Sequence, residues 1–104
     1  LDHLSEGRFI FGVGVGGHPT EFEHMGVPYA TRGARTDEML EIMRRLWTEE
    51  EVTFKGEFYD LKEVVQKPKP IQKPHPKIML GGGYHGAGRF SDMRNGKSAL
   101  MRYT

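Results

Sequence analysis

Two stretches of the chain order their apolar positions in ways that backbone geometry can read. Residues 8–14, RFIFGVG, form a short apolar run rich in aromatic and β-branched side chains and bounded by glycine. Such a run predicts a strand buried on both faces, as in a parallel sheet. In residues 31–51, Met39, Leu40, Met43, Leu46 and Trp47 fall at i, i+1, i+4, i+7 and i+8, which is one stripe on a helix. Asp37 and Glu38 stand near the start of that helix and Arg44 and Arg45 near its end, as the macrodipole favours. The opposite face is charged, so the helix covers something on one side only.

Between these two, residues 18–30, HPTEFEHMGVPYA, read as a loop with one helical turn at 20–24, capped by Thr20 and stopped by Gly26 and Pro28. After the helix, residues 52–61, VTFKGEFYDL, predict a small hairpin. Val52 and Phe54 alternate on one arm, Phe58 and Leu61 lie on the other, and Lys55-Gly56 supply the turn. Four prolines in residues 66–77 predict an extended, polyproline-like connection. It leads into KIML, a second strand that ends at Gly81-Gly82-Gly83. At the other end, Leu1 and Leu4 followed by Gly7 read as the tail of a helix, which points to a piece of something larger. Residues 84–104 offer only a weak helix at 88–93.

Strand, glycine loop, helix, connection, strand, glycine loop: the order is that of one β-α-β unit with a hairpin inserted. Such units are right-handed and lay two parallel strands in one sheet. Both glycine loops then leave the carboxyl ends of the strands, the edge where α/β folds bind ligands.

Composition narrows the class without naming it. The 104 residues are 37% hydrophobic and 28% charged, as in an ordinary globular domain. Fifteen basic and fourteen acidic residues give a net charge of +1, which speaks against a large nucleic-acid face. With no cysteine, disulfides and thiolate metal sites are excluded. No apolar run approaches the roughly 20 residues of a membrane helix, and no signal peptide is visible, so a cytoplasmic location is expected.

The candidate motifs are weighed by context. Gly12, Gly14 and Gly17 match G-x-G-x-x-G, but a dinucleotide loop needs a helix starting on the third glycine and an acidic residue at the end of the next strand. Here Pro19 follows, and Asp37 heads a helix. Gly81, Gly83 and Gly86 match the same pattern, and the plain alternative for each loop is a tight turn with no ligand. NGKS at 95–98 fails as a P-loop, because Ser91 stands where the first glycine belongs. The histidines show no metal-ligand spacing. His18 and His85 each sit just past a glycine loop, as general acid or hydrogen-bond donor to one pocket or as solvated loop residues. Met39, Met43 and Trp47 read as core. Arg32 and Arg35 lie where the helix dipole disfavours cations, either facing a carboxylate from elsewhere or solvated.

In order, the chain shows a Gly-Arg-Phe strand, a Gly-x-Gly-x-Gly end, Glu-Phe-x-x-x-Gly, an Arg-Gly-x-Arg-x-Asp-Glu helix, Leu-Trp-Thr, Gly-x-Phe-Tyr, and a proline-rich lead into Gly-Gly-Gly. Over residues 4–83 this resembles the bacterial luciferase-like flavin and deazaflavin oxidoreductases, most of all their F420-dependent branch. The resemblance implies an α/β chain that is a fragment of a (β/α)8 TIM barrel. Coenzyme F420, or FMN as the alternative, would lie across the carboxyl-end mouth and exchange hydride with a small organic substrate. FMN-dependent monooxygenation is the close variant. Gly14, Val15 and Gly16 would end one barrel strand, and Gly81, Gly82, Gly83 and Tyr84 the next, giving a flat backbone floor for the cofactor ring. Relatives often carry tryptophan at the place of Gly17, and some F420 enzymes have an acidic residue close by that serves as proton donor. This chain offers Gly17, His18 and Glu21 there, and His18 is the expected substitute donor. Residues 84–104 depart from the family pattern, so 1–104 is expected to be one partial barrel domain with a divergent tail. Two strands and one full helix leave apolar faces uncovered, which predicts poor folding alone or self-association. The alternative reading is a non-catalytic α/β remnant acting as an interaction module.

Overall fold

The computed structural model describes residues 1–81 and the backbone of a short strand at 101–103. Strand β1 (Ile10–Gly14) is followed by a short helix α1 (Pro19–His24), a single 3-10 turn (Tyr29–Thr31) and the long helix α2 (Arg32–Thr48). Strands β2 (Val52–Lys55) and β3 (Asp60–Val64) form the hairpin, and β4 (Lys77–Gly81) returns beside β1. The β1 and β4 pair is parallel and in register from Ile10↔Lys77 to Gly14↔Gly81. This is the expected β-α-β unit with an inserted hairpin. A strand the sequence did not announce, β5 (Met101–Tyr103), pairs antiparallel with β4, so the sheet order is β1-β4-β5. The helix anticipated at 88–93 lies outside the described residues.

The core sits between this sheet and α2. Leu40, Ile78 and Leu80 are buried together, and Phe11, Val13, Val15 and Trp47 pack against them. Trp47 meets Phe11 edge-on, with ring centroids 5.8 Å apart. The expected two-sided burial of β1 does not hold. Phe11 and Val13 are half-buried toward α2, whereas Ile10, Gly12 and Gly14 on the other face are exposed. Side chains alternate across a strand, and α2 covers only one side. Among the described residues nothing covers the other.

The stripe on α2 is also shifted. Leu40 is buried as expected, but Met39 is 40% exposed and Ile42 only 7%. The cause is the hairpin. Arg35, Glu38 and Ile42 stand three and four apart and share one face, and that face meets the hairpin. The Glu38 carboxylate accepts from the backbone N–H of Glu57 (2.5 Å), Phe58 (3.1 Å) and Tyr59 (3.2 Å). The Arg35 guanidinium lies 4.6 Å from the Phe58 ring centroid. The turn is therefore the four-residue loop 56–59, closed by Gly56 N–H to Tyr59 O at 2.8 Å, and Phe58 belongs to it instead of to a strand arm. A Cβ at Gly56 would overlap the Glu38 carboxylate. That side chain could swing away, but only by giving up the loop amides. Glu38→Ala is expected to lower the unfolding free energy by about 1–3 kcal/mol, because three donors lose a charged acceptor. A urea titration in which the variant keeps the wild-type midpoint would contradict this.

The proline-rich connection is not a plain polyproline rod. Lys67–Pro68 and Lys73–Pro74 are cis, and residues 71–74 bend. Its path is fixed by polar contacts at both ends. Lys69 Nζ donates to Leu46 O at the end of α2 (2.6 Å), and His3 Nε2 lies 2.6 Å from Lys69 O. Gln72 donates from its backbone N–H (3.0 Å) and its Nε2 (2.8 Å) to the Asp2 carboxylate, and from Nε2 also to Phe9 O (2.7 Å). Residues 1–7 have the hydrogen bonds of a helix C-terminus. Gly7 N–H donates to Asp2 O and Glu6 N–H to His3 O, with Glu6 in the left-handed C′ position and Gly7 one residue further on.

Asp2 is buried, and the side-chain and backbone hydrogen bonds from Gln72 hold its carboxyl below the ordinary carboxylate value. A carboxylate whose folded pKa is depressed adds stability above its unfolded pKa and loses it as pH falls through the folded value. Wild type should therefore melt above Asp2→Asn at neutral pH, with the gap shrinking below about pH 4. A gap that stays constant from pH 7 to pH 2 would contradict the assignment.

Candidate functional site

The glycine loops meet as the topology requires. Gly14 and Gly81 are register partners at the carboxyl ends of β1 and β4. On the face turned away from α2, the paired positions run Ile10 with Lys77, Gly12 with Met79, then Gly14 with Gly81. The strands thus carry side chains at their amino ends and end in bare backbone. Among the described residues, a Cβ built on Gly12 or Gly14 would meet nothing within 4 Å, and one on Gly81 would touch only Val13 O at 3.7 Å. An edge that the described residues leave without side chains is what a flat ring system needs in order to approach backbone. Val15 points the other way and joins the core packing.

Gly16 is held differently. Its φ is +88°, and a Cβ there would stand 2.9 Å from the Phe22 ring. Phe22 lies on α1, whose first residue is Pro19 and whose N-cap is His18. Thr20 is not the cap, because Pro19 fits the first helical position, where its missing N–H costs nothing, and so sets the start earlier. His18 makes no side-chain capping bond and is exposed, two residues beyond Gly16. At its far end α1 closes as expected at Gly26, with Gly26 N–H to Glu23 O and Val27 N–H to Phe22 O.

Phe22 and Tyr29 pack edge-to-face at 5.3 Å, and Tyr29 Oη donates to Gly17 O at 3.3 Å. The Arg32 guanidinium lies 3.7 Å from the Tyr29 ring centroid, and its Nη1 donates to Tyr29 O at 3.0 Å. Arg35 donates to Thr31 Oγ1 at 3.2 Å. Both arginines at the head of α2 are thus engaged with aromatic rings and local acceptors, a use the sequence did not reveal. Phe22 borders two apolar clefts. One, of about 290 Å³, opens at the end of β1 between Gly14, Val15, Gly16, Glu21, Phe22, Met25 and Val27. The other, of about 220 Å³, lies between β1 and the first half of α2 and is reached by Met39 and Met43. Gly82, Gly83, Tyr84 and His85 lie outside the described residues. The packing role of Phe22 and Tyr29 is not legible in the sequence, because one helical turn and one 3-10 turn are too short for periodicity to mark an inward face.

Known proteins place this geometry in a family. The family model for luciferase-like monooxygenases matches residues 1–90. An uncharacterized protein of Mycobacterium tuberculosis is 44% identical over 81 residues, covering 78% of this chain and 28% of that protein. The FMNH2-dependent dimethylsulfone monooxygenase of Pseudomonas putida is 34% identical over 90 residues, covering 84% of this chain and 25% of its own length. The crystal structure of monooxygenase RslO1 from Streptomyces bottropensis matches with a TM-score of 0.72 and 38% identity, over 76% of this chain and 24% of that one. The chain belongs to the luciferase-like monooxygenase family, and its α/β unit corresponds to about a quarter of these relatives. No helix among the described residues is long and apolar enough to cross a membrane.

Proposed function

We propose that the chain supplies one wall of the cofactor site of a flavin-dependent oxidoreductase acting on a small organic molecule. The observation that carries this reading is the pairing of Gly14 with Gly81, which leaves bare backbone at the ligand-binding edge of the sheet. Gly14, Gly16 and Gly81 would hold the ring system, with Val15 anchoring the loop to the core. Reduced FMN, the cofactor in the name of the Pseudomonas relative, supplies electrons for dioxygen activation, whereas F420, favoured by the motif resemblance, supplies hydride. His18, exposed two residues beyond Gly16, would be the proton donor of this reading. The cleft beside Phe22 offers an apolar seat for the second reactant, with Glu21 as its carboxylate. Self-association belongs to the same reading, because the sheet face bearing Ile10, itself 50% exposed, has no cover among the described residues. That same open face favours the second reading, an interaction module.

Fluorescence anisotropy titrations of the chain with FMN and with F420 test the proposal. A saturable rise supports it, and the cofactor that saturates at lower concentration names the branch. Flat curves for both would overturn it and leave the interaction module.

A further inference from the structure

The loop at 14–17 contains three glycines, so its sequence does little to hold one backbone conformation. Yet a floor that receives a flat ring must be rigid, since ordering it on binding subtracts from affinity. The structure shows what holds it. The Phe22 ring fills the space beside Gly16, Tyr29 packs edge-on against Phe22, and Tyr29 Oη reaches Gly17 O. Tyr29 is in turn fixed by the Arg32 guanidinium on its ring and by the Arg32 bond to its carbonyl. The 3-10 turn that presents Tyr29 is closed by Thr31, whose N–H and Oγ1 both donate to Pro28 O (3.2 and 2.8 Å).

We propose that Tyr29 is the positioning residue of the glycine loop: through Phe22 and Gly17 it fixes the backbone of residues 16–17 against which the cofactor ring rests. The cofactor half of this statement rests on the function proposed above, and the loop half does not. At 3.3 Å the Tyr29 hydroxyl bond is long for O–H···O. The ring contact therefore carries more of the restraint than the hydroxyl does, which orders the variants.

The test is ¹⁵N relaxation on the full chain without cofactor. In wild type the amides of Gly16, Gly17 and His18 should show order parameters near about 0.85, as in rigid backbone. Tyr29→Phe keeps the ring, so it should loosen Gly17 and His18 and leave Gly16 ordered. Tyr29→Leu should bring all three below about 0.6, with α2 unchanged. Wild-type values already below that level, or values in both variants equal to wild type, would overturn the proposal. Should Tyr29→Leu fail to fold, the local pattern in Tyr29→Phe decides. An FMN titration gives a separate reading. If a tenth of the molecules hold the ordered loop, the apparent Kd of Tyr29→Leu rises about tenfold. Should wild type bind no flavin, the proposed function falls while the order parameters still decide the role of Tyr29.

Discussion

Ile78→Ala is expected to cost about 2–5 kcal/mol of unfolding free energy, a large fraction of the total for a domain of this size. Ile78 is 0% exposed and sits on β4 in the cluster with Leu40 and Leu80. Removing its branch leaves a cavity between sheet and helix, and few other side chains among the described residues are buried to share the loss. Ile10 provides the control, because it is the same residue type on the same sheet and is 50% exposed on the opposite face. Ile10→Ala should cost less than about 1 kcal/mol. Urea unfolding of the two variants, read at constant m, decides which sheet face is packed. Equal losses would mean that both faces are covered and that the account of a one-sided sheet is wrong.

The second large effect is expected at Gly16. Gly16→Val places a β-branched residue at a φ of +88° and drives its Cβ into the Phe22 ring. The backbone strain alone is about 1–3 kcal/mol, and displacing Phe22 also releases Tyr29. Gly14→Val is the informative partner. Its Cβ would meet nothing within 4 Å among the described residues, and a strand end accepts valine. Gly14→Val should therefore leave the melting temperature within about 2 °C of wild type while abolishing flavin binding, because the new side chain stands on the proposed cofactor floor. Gly16→Val should lose both. If Gly14→Val binds flavin as wild type does, the floor is somewhere else.

These two cases mark what could be read from residues alone. The strands at RFIFGVG and KIML, the long helix and the meeting of two glycine ends all follow from local pattern and chain order. The exposure of Ile10 and Met39 does not, because periodicity shows which residues share a face and not whether a partner reaches it. Ile42 is buried one turn beyond Glu38, which grips a loop about twenty residues away. No window of sequence contains that contact. Phe58 alternates like a strand residue but lies in the loop for the same reason. His18 displaces Thr20 as the cap because proline outranks a hydroxyl one residue later in fixing where a helix starts. At the site, the glycines were legible because only a close backbone approach or a turn needs so many. The parts that hold them, Phe22 and Tyr29, sit on turns too short to show a period.

On the proposed function, the paired glycine ends of β1 and β4 receive the cofactor ring. Its most direct test is an amide-resolved NMR titration of the chain with FMN, repeated with F420. The amides of Gly14, Gly16 and Gly81 should shift together and saturate, while those of the hairpin at 52–64 stay still. Shifts confined to the hairpin or to the cleft between β1 and α2, or no shifts with either cofactor, would contradict it.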